Sequence, residues 1–211
     1  MNWLEWFFEP YIGVSSHLIL LEIVAVVFGF LSVWYSKENH IWVYPTGIIN
    51  TSIFVYILWH YGLLGDMLIN GYYFSMSIYG WYIWSRKKNG ETLHKIEHAS
   101  FKEHLYGLLL FFGTAIFVIG VYTVFEKWDG WISYMDVFTT AIFFVGMWLM
   151  AKRKIENWIF WIIGDLVSVP LYFYKGLNMA AVQYILFTII AIYGYYSWIK
   201  IYNNNQVIVS K

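Results

Sequence analysis

Along this chain, runs of about twenty apolar residues alternate with short polar breaks, a spacing that suits helices crossing a hydrocarbon core of about 30 Å. The pattern predicts spans at 17–35, 41–61, 64–84, 105–125, 131–150, 158–174 and 177–199. The clearest is Leu105 to Phe125, which contains no charged residue. Residues 1–14, with Trp3, Trp6, Phe7, Phe8 and Tyr11, are too short to cross and are expected to lie at an interface. The longest polar stretch, Arg86 to His104, separates the third and fourth spans. Inside it, Ser100 and Glu103 form an S-x-x-E capping box that predicts the start of the fourth helix. The expected fold is an all-α membrane protein with seven transmembrane helices.

The two ends of this pattern repeat at an offset of 114 residues. Ile78-Tyr79-Gly80-Trp81-Tyr82-Ile83-Trp84 matches Ile192-Tyr193-Gly194-Tyr195-Tyr196-Ser197-Trp198 at five of seven positions. Glu22 falls on Asp136, Phe30 on Phe144, Trp34 on Trp148 and Gly62-Leu63 on Gly176-Leu177. Three spans per half is an odd number, so the fourth span is expected to act as an inversion linker between two parallel repeats. The organisation expected is an interfacial segment 1–16, a first three-helix repeat 17–85 and a cytoplasmic linker 86–104. A linker helix 105–125, a second three-helix repeat 131–200 and a cytoplasmic tail 201–211 follow. Transporters built from such repeats bind substrate near the midplane, between bundles that rock to give alternating access.

Composition agrees: 60% of the 211 residues are apolar and 12% charged, against about half and a quarter in a soluble domain. Net charge is zero, which gives no sign of a nucleic-acid partner. Eleven of the thirteen Lys and Arg residues fall on one side of the predicted topology, leaving only Lys127 and Lys175 on the other. By the positive-inside rule the linker and C-terminus are cytoplasmic and the N-terminus outside, in a multi-pass bacterial inner-membrane protein. No Lys or Arg precedes Lys37, so the first apolar segment does not read as a cleavable signal peptide and is expected to stay. The absence of cysteine removes disulfides and thiolate chemistry.

Polar groups inside spans are costly and therefore candidates for function. Asp165 lies mid-span, four residues after Trp161 and seven after Trp158, so the three share one helix face, with Pro170 close behind. Two indoles and a carboxylate suit a cationic aromatic ligand: the rings stack and attract the cation, and the acid neutralises it. Asn50, Asn70 and Gln183 are amides able to read a hydroxylated solute, or equally to join helices. Glu22 and Asp136, at equivalent places in the two halves, read as structural hydrogen-bonding groups repeated by symmetry. His60 reads as a solvated residue at the outer edge, and Trp81, Trp84 and Trp198 as interface anchors.

Two chemistries are set aside. His94-Lys95-Ile96-Glu97-His98 fits H-x-x-E-H but lies in the linker, where a solvated loop is expected in place of a sheltered zinc site. No G-x-x-x-x-G-K-[ST] loop occurs, so no P-loop powers pumping. Neither catalytic residues nor a metal or cofactor are expected.

The chain resembles the PnuC family of nicotinamide riboside transporters. The first half is similar at Glu22-Ile23, Phe30-Leu31-Ser32-Val33-Trp34, Pro45-Thr46-Gly47-Ile48 and Tyr79-Gly80-Trp81-Tyr82. The second is similar at Trp158-Ile159-Phe160-Trp161, at Asp165 and from Val169 to Leu177. The resemblance implies a 3+1+3 helical fold of the SWEET type, often trimeric, with facilitated diffusion of a nucleoside-like vitamin trapped by a cytosolic kinase. It implies substrate near Trp158, Trp161 and Asp165, and places Asn70 where the family often has Gln. Two departures, Asn70 and Gln183, leave thiamine or another vitamin open as the solute. A membrane receptor or vitamin-capture subunit needing an energising partner is the alternative class.

Overall fold

The computed structural model describes residues 12–61, 64–88, 91–92, 94–126, 128–174 and 178–209. Within them the chain forms seven helices: α1 (Ser16–Lys37), α2 (Val43–His60), α3 (Leu64–Ser85), α4 (Phe101–Val124), α5 (Gly130–Ala151), α6 (Asn157–Tyr174) and α7 (Asn178–Val209). Each falls on an expected span. α7 runs to Val209, past the expected start of the tail, and the interfacial stretch 1–11 lies outside the described residues. The capping box forms: the Glu103 backbone N–H donates to Ser100 Oγ at 3.3 Å, and the Ser100 N–H to Glu103 Oε2 at 2.9 Å.

Four of the seven, α1, α4, α5 and the Ala181–Val207 part of α7, are long and apolar enough to cross a membrane on length and composition. The other three carry the polar and small residues of the interior, among them Thr46, Asn50 and Thr51 on α2, Asn70 and Ser77 on α3, and Gly164, Asp165 and Ser168 on α6. Facing inward dilutes a helix's hydropathy. α2 packs between α1 and α3, and α6 between α5 and α7; α1 meets α7 and α3 meets α5. α4 packs mainly on α5.

The 114-residue offset is visible in the backbone. Asn39 and Arg153, one offset apart, both adopt left-handed conformations, φ 52° and 56°, just after α1 and α5. The surrounding bonds recur: the His40 N–H donates to the Tyr35 carbonyl and the Lys154 N–H to that of Leu149, each at 2.9 Å. At Ser36 and Met150 the two equivalent positions touch each other, the hydroxyl donating to the thioether at 3.2 Å across |i−j| = 114.

The linker keeps Lys95, Glu97 and His98 exposed, as expected of a solvated loop, but its backbone docks. After a two-residue antiparallel pairing of Lys87–Lys88 with Glu91–Thr92, Glu97 makes an isolated parallel β-bridge to Lys154 in the α5–α6 turn. The Glu97 N–H donates to the Arg153 carbonyl, the Ile155 N–H donates back to the Glu97 carbonyl, and Ile96 is buried. Glu156 accepts from the Ala99 N–H and pairs with His98, both at 2.8 Å, while Lys154 meets Glu97 and Glu103. Expecting solvation overlooked that the exposed turn offers unpaired backbone groups for a neighbouring segment to satisfy. Among the described residues no group of three or more His, Asp or Glu could hold a metal ion.

Candidate functional site

Between the α1–α3 and α5–α7 groups lies a cavity of about 260 Å³. All six residues singled out from the sequence line it: Trp158, Trp161, Asp165, Asn50, Asn70 and Gln183. The sequence reading missed other walls, notably Tyr44, Tyr73, Phe143 and Tyr184. Their signal was available in part, since Tyr44 is one offset from Trp158 and Phe143 from Gly29.

Asp165 is the chemical centre. Its side chain is 2% exposed and, among the described residues, makes neither hydrogen bond nor ion pair. α6 runs unbroken through Pro170, one turn beyond, so the acid sits on a continuous helix. A buried carboxyl with a free valence toward a cavity suits a ligand that brings a positive charge or a donor.

The indoles divide their work. Trp161 stacks on Phe143 (5.4 Å between centroids, 29°), and Phe143 on Tyr184 (6.0 Å, 8°), giving an aromatic wall three rings deep. Trp158 is buried beneath the cavity, laid across Gly194 so closely that a Cβ there would overlap the ring. Tyr44 lies across Gly80 in the same way, one offset earlier. The Trp158 N–H and Tyr44 hydroxyl are buried and have no hydrogen-bond partner among the described residues.

Amides line the cavity from both halves. The Asn50 amide donates to the Ala25 carbonyl of α1 at 2.7 Å, and its carbonyl oxygen has no partner among the described residues. Asn50 therefore joins helices and still offers an acceptor. Asn70 and Gln183 face the same cavity from α3 and α7. Asp136 lies outside it and accepts from the Tyr122 hydroxyl at 3.3 Å.

Two expectations about tryptophan are corrected. Trp84 and Trp198, read as interface anchors, are 2% and 0% exposed. Their N–H groups donate to backbone carbonyls near the ends of α5 and α1, at Ala151 (3.1 Å) and Ser36 (3.0 Å). The Ser36 carbonyl also accepts from the Asn39 N–H at 2.9 Å, so each indole gains a buried acceptor in the last turn of a neighbouring helix and its ring is packed away from the bilayer interface. Trp81 is exposed, as an anchor should be.

Among known proteins, the nicotinamide riboside transporter PnuC of Escherichia coli K12 is 27% identical, with 90% of this chain and 89% of that protein covered. A PnuC nicotinamide riboside transporter of Neisseria mucosa is 26% identical over 86% of this chain and 72% of its own. The riboflavin/roseoflavin transporter RibM of Streptomyces davaonensis is 23% identical, covering 94% and 92%. The crystal structure of the vitamin B3 transporter PnuC superposes with TM-score 0.67 at 20% identity, over 95% of this chain and 89% of that one, which fixes the fold. The family model for the nicotinamide mononucleotide transporter matches residues 19–200. This multi-pass helical membrane protein, with its polar and aromatic cavity and a match over nearly its whole length, belongs to the nicotinamide mononucleotide transporter family.

Proposed function

We propose that this protein carries nicotinamide riboside across the bacterial inner membrane by facilitated diffusion, the solute then being trapped by a cytosolic kinase. The observation that carries the reading is the buried carboxyl of Asp165, unpartnered among the described residues, in a cavity lined by aromatic rings and amides. A pyridinium ring matches the acid and the rings, and a ribose matches Asn50, Asn70 and Gln183. The cavity, about 260 Å³, lies just below the ~300–1,000 Å³ of ordinary ligand pockets. That favours a compact two-ring solute over a flavin with three fused rings and a ribityl chain.

The reading extends to architecture. All seven helices span the bilayer as two parallel three-helix repeats of the SWEET type joined by α4, and the protein works as a homotrimer. The recurring left-handed turns at Asn39 and Arg153, and the crossed packing of α1 on α7 and α3 on α5, support the repeat. The basic residues support a cytoplasmic linker and C-terminus. A cysteine at Lys95 should react with an impermeant reagent only from the cytoplasmic side. Labelling of intact cells would reverse the orientation.

Calorimetry on the purified protein tests the substrate. Nicotinamide riboside should bind, and thiamine and riboflavin should bind at least tenfold more weakly. Tighter binding of thiamine would move the reading to the second cationic aromatic. Counterflow in liposomes without ATP or an ion gradient distinguishes a uniporter from a capture subunit, which would bind but not exchange.

A further inference from the structure

Between the cavity and the linker the two halves are held together by a pair of bonds that cross from one half to the other. Trp198 of α7 donates to the Ser36 carbonyl near the end of α1, and Trp84 of α3 to the Ala151 carbonyl at the end of α5. The two tryptophans are one offset apart, and their acceptors lie within one residue of equivalent positions, so a similar contact is made twice, in opposite senses. Ser36 itself donates to Met150 on the other half at 3.2 Å. All four positions are buried.

These contacts form a layer beneath the cavity. The Tyr44 and Trp158 rings close its end, and immediately below them lie Trp84 (5.1 Å from Tyr44, 90°) and Trp198 (5.5 Å from Trp158, 89°). Trp84 and Trp198 face each other at 6.1 Å. A solute leaving toward the linker must therefore pass two tiers of rings, and the lower tier is tied to the opposite half. Packing alone would leave nothing to break; the two indole bonds are discrete and can be made or lost.

We propose that Trp84 and Trp198 are the gate of the cavity on the linker side, and that the halves part there by giving up both cross-half indole bonds together. This rests on the transport reading, because a cavity that never opens alternately needs no gate. Trp84 and Trp198 are positioning residues: they hold the halves and do not touch the solute.

The chain has no native cysteine, so a single thiol reports opening. Ser36→Cys, purified in detergent without ligand, should react slowly with a small thiol reagent. Adding Trp198→Phe or Trp84→Phe keeps a ring and removes the donor, and each should speed labelling about two- to tenfold, the scale of one neutral hydrogen bond. A thiol at buried Ser168, about 15 Å further along α6 than Trp158, should be unaffected. Unchanged labelling at Ser36→Cys, or equal acceleration at Ser168→Cys, would overturn the gate. A second measurement keeps both tryptophans: Ser36→Cys with Met150→Cys, bridged by a short bifunctional thiol reagent, should stop nicotinamide riboside counterflow and recover on cleavage of the bridge. Full exchange by the bridged protein would overturn the proposal. Failure of the unbridged protein to move the solute would count against the transport reading alone, and the labelling rates would still decide the gate.

Discussion

The guanidinium of Arg153 lies over the indole of Trp84, 4.1 Å from the ring centroid, and the arginine is 5% exposed. The same group donates to the His94 carbonyl at 2.6 Å, so one buried charge ties the linker to the ring that caps α5. Burial lowers its pKa, opposed by Tyr44. Arg153→Ala should cost about 2–3 kcal/mol, the scale of a desolvated cation–π contact and a charged hydrogen bond that overlap. Thermal unfolding in detergent measures the loss. Faster protease cleavage between Arg86 and Ser100 should accompany it, and an unchanged cleavage rate would show that the linker is held by its other contacts.

Gly80 and Gly194 permit Tyr44 and Trp158 to cross the third helix of each half. Gly194→Ala should destabilise by about 1–3 kcal/mol, because its methyl overlaps the Trp158 ring. Trp158→Phe should recover part of that loss in the double variant. Additive losses in that cycle would mean the two residues do not share their space.

Asp165→Asn keeps size and hydrogen-bonding capacity while removing the charge. It should weaken a cationic ligand at least tenfold, about 1.4 kcal/mol, and a neutral analogue of the same shape much less. Titration calorimetry with both ligands separates the outcomes. Equal losses would assign the carboxyl to holding α6 in place.

His94 lies in the linker, outside the spans. Its pKa is lowered by burial first and then by Arg86, Arg153 and Lys154, with Glu97 opposing. A histidine with a depressed folded pKa contributes fully above its unfolded value of about 6.5, and that contribution is lost as pH falls below it. The wild-type protein should therefore lose more thermal stability than His94→Gln between pH 7.5 and pH 5.5. Parallel losses would show that His94 is not the group responsible.

The helices were legible because bilayer length and apolar run length coincide, and this held even for α2, α3 and α6 with their interior polar residues. Asn50, Asn70, Asp165 and Gln183 were legible because few polar groups occur inside spans, and Trp158 and Trp161 because they share a helix face with Asp165. Tyr73 and Phe143 were not: an aromatic residue lining a cavity and one packed against lipid look alike in a chain with 23% aromatics. Trp84 and Trp198 illustrate the same limit at helix ends. Position alone places an indole near the interface, and only the neighbouring helix decides whether a carbonyl or water takes its N–H. In the linker the exposure of Glu97 and His98 was legible, whereas the burial of Ile96 and the docking of the backbone on the α5–α6 turn were not.

The two halves share a backbone but have exchanged large and small residues at one pair of positions. Asn50 on α2 sits against Gly29 on α1; one offset later, Phe143 on α5 sits against Gly164 on α6. In the first half α2 reaches α1 with an amide, and in the second α5 reaches α6 with a ring. A two-fold chamber with identical walls would accept a solute either way round. Here one half presents the Asn50 amide and the other the Phe143 ring, so the two ends of an asymmetric solute meet different surroundings.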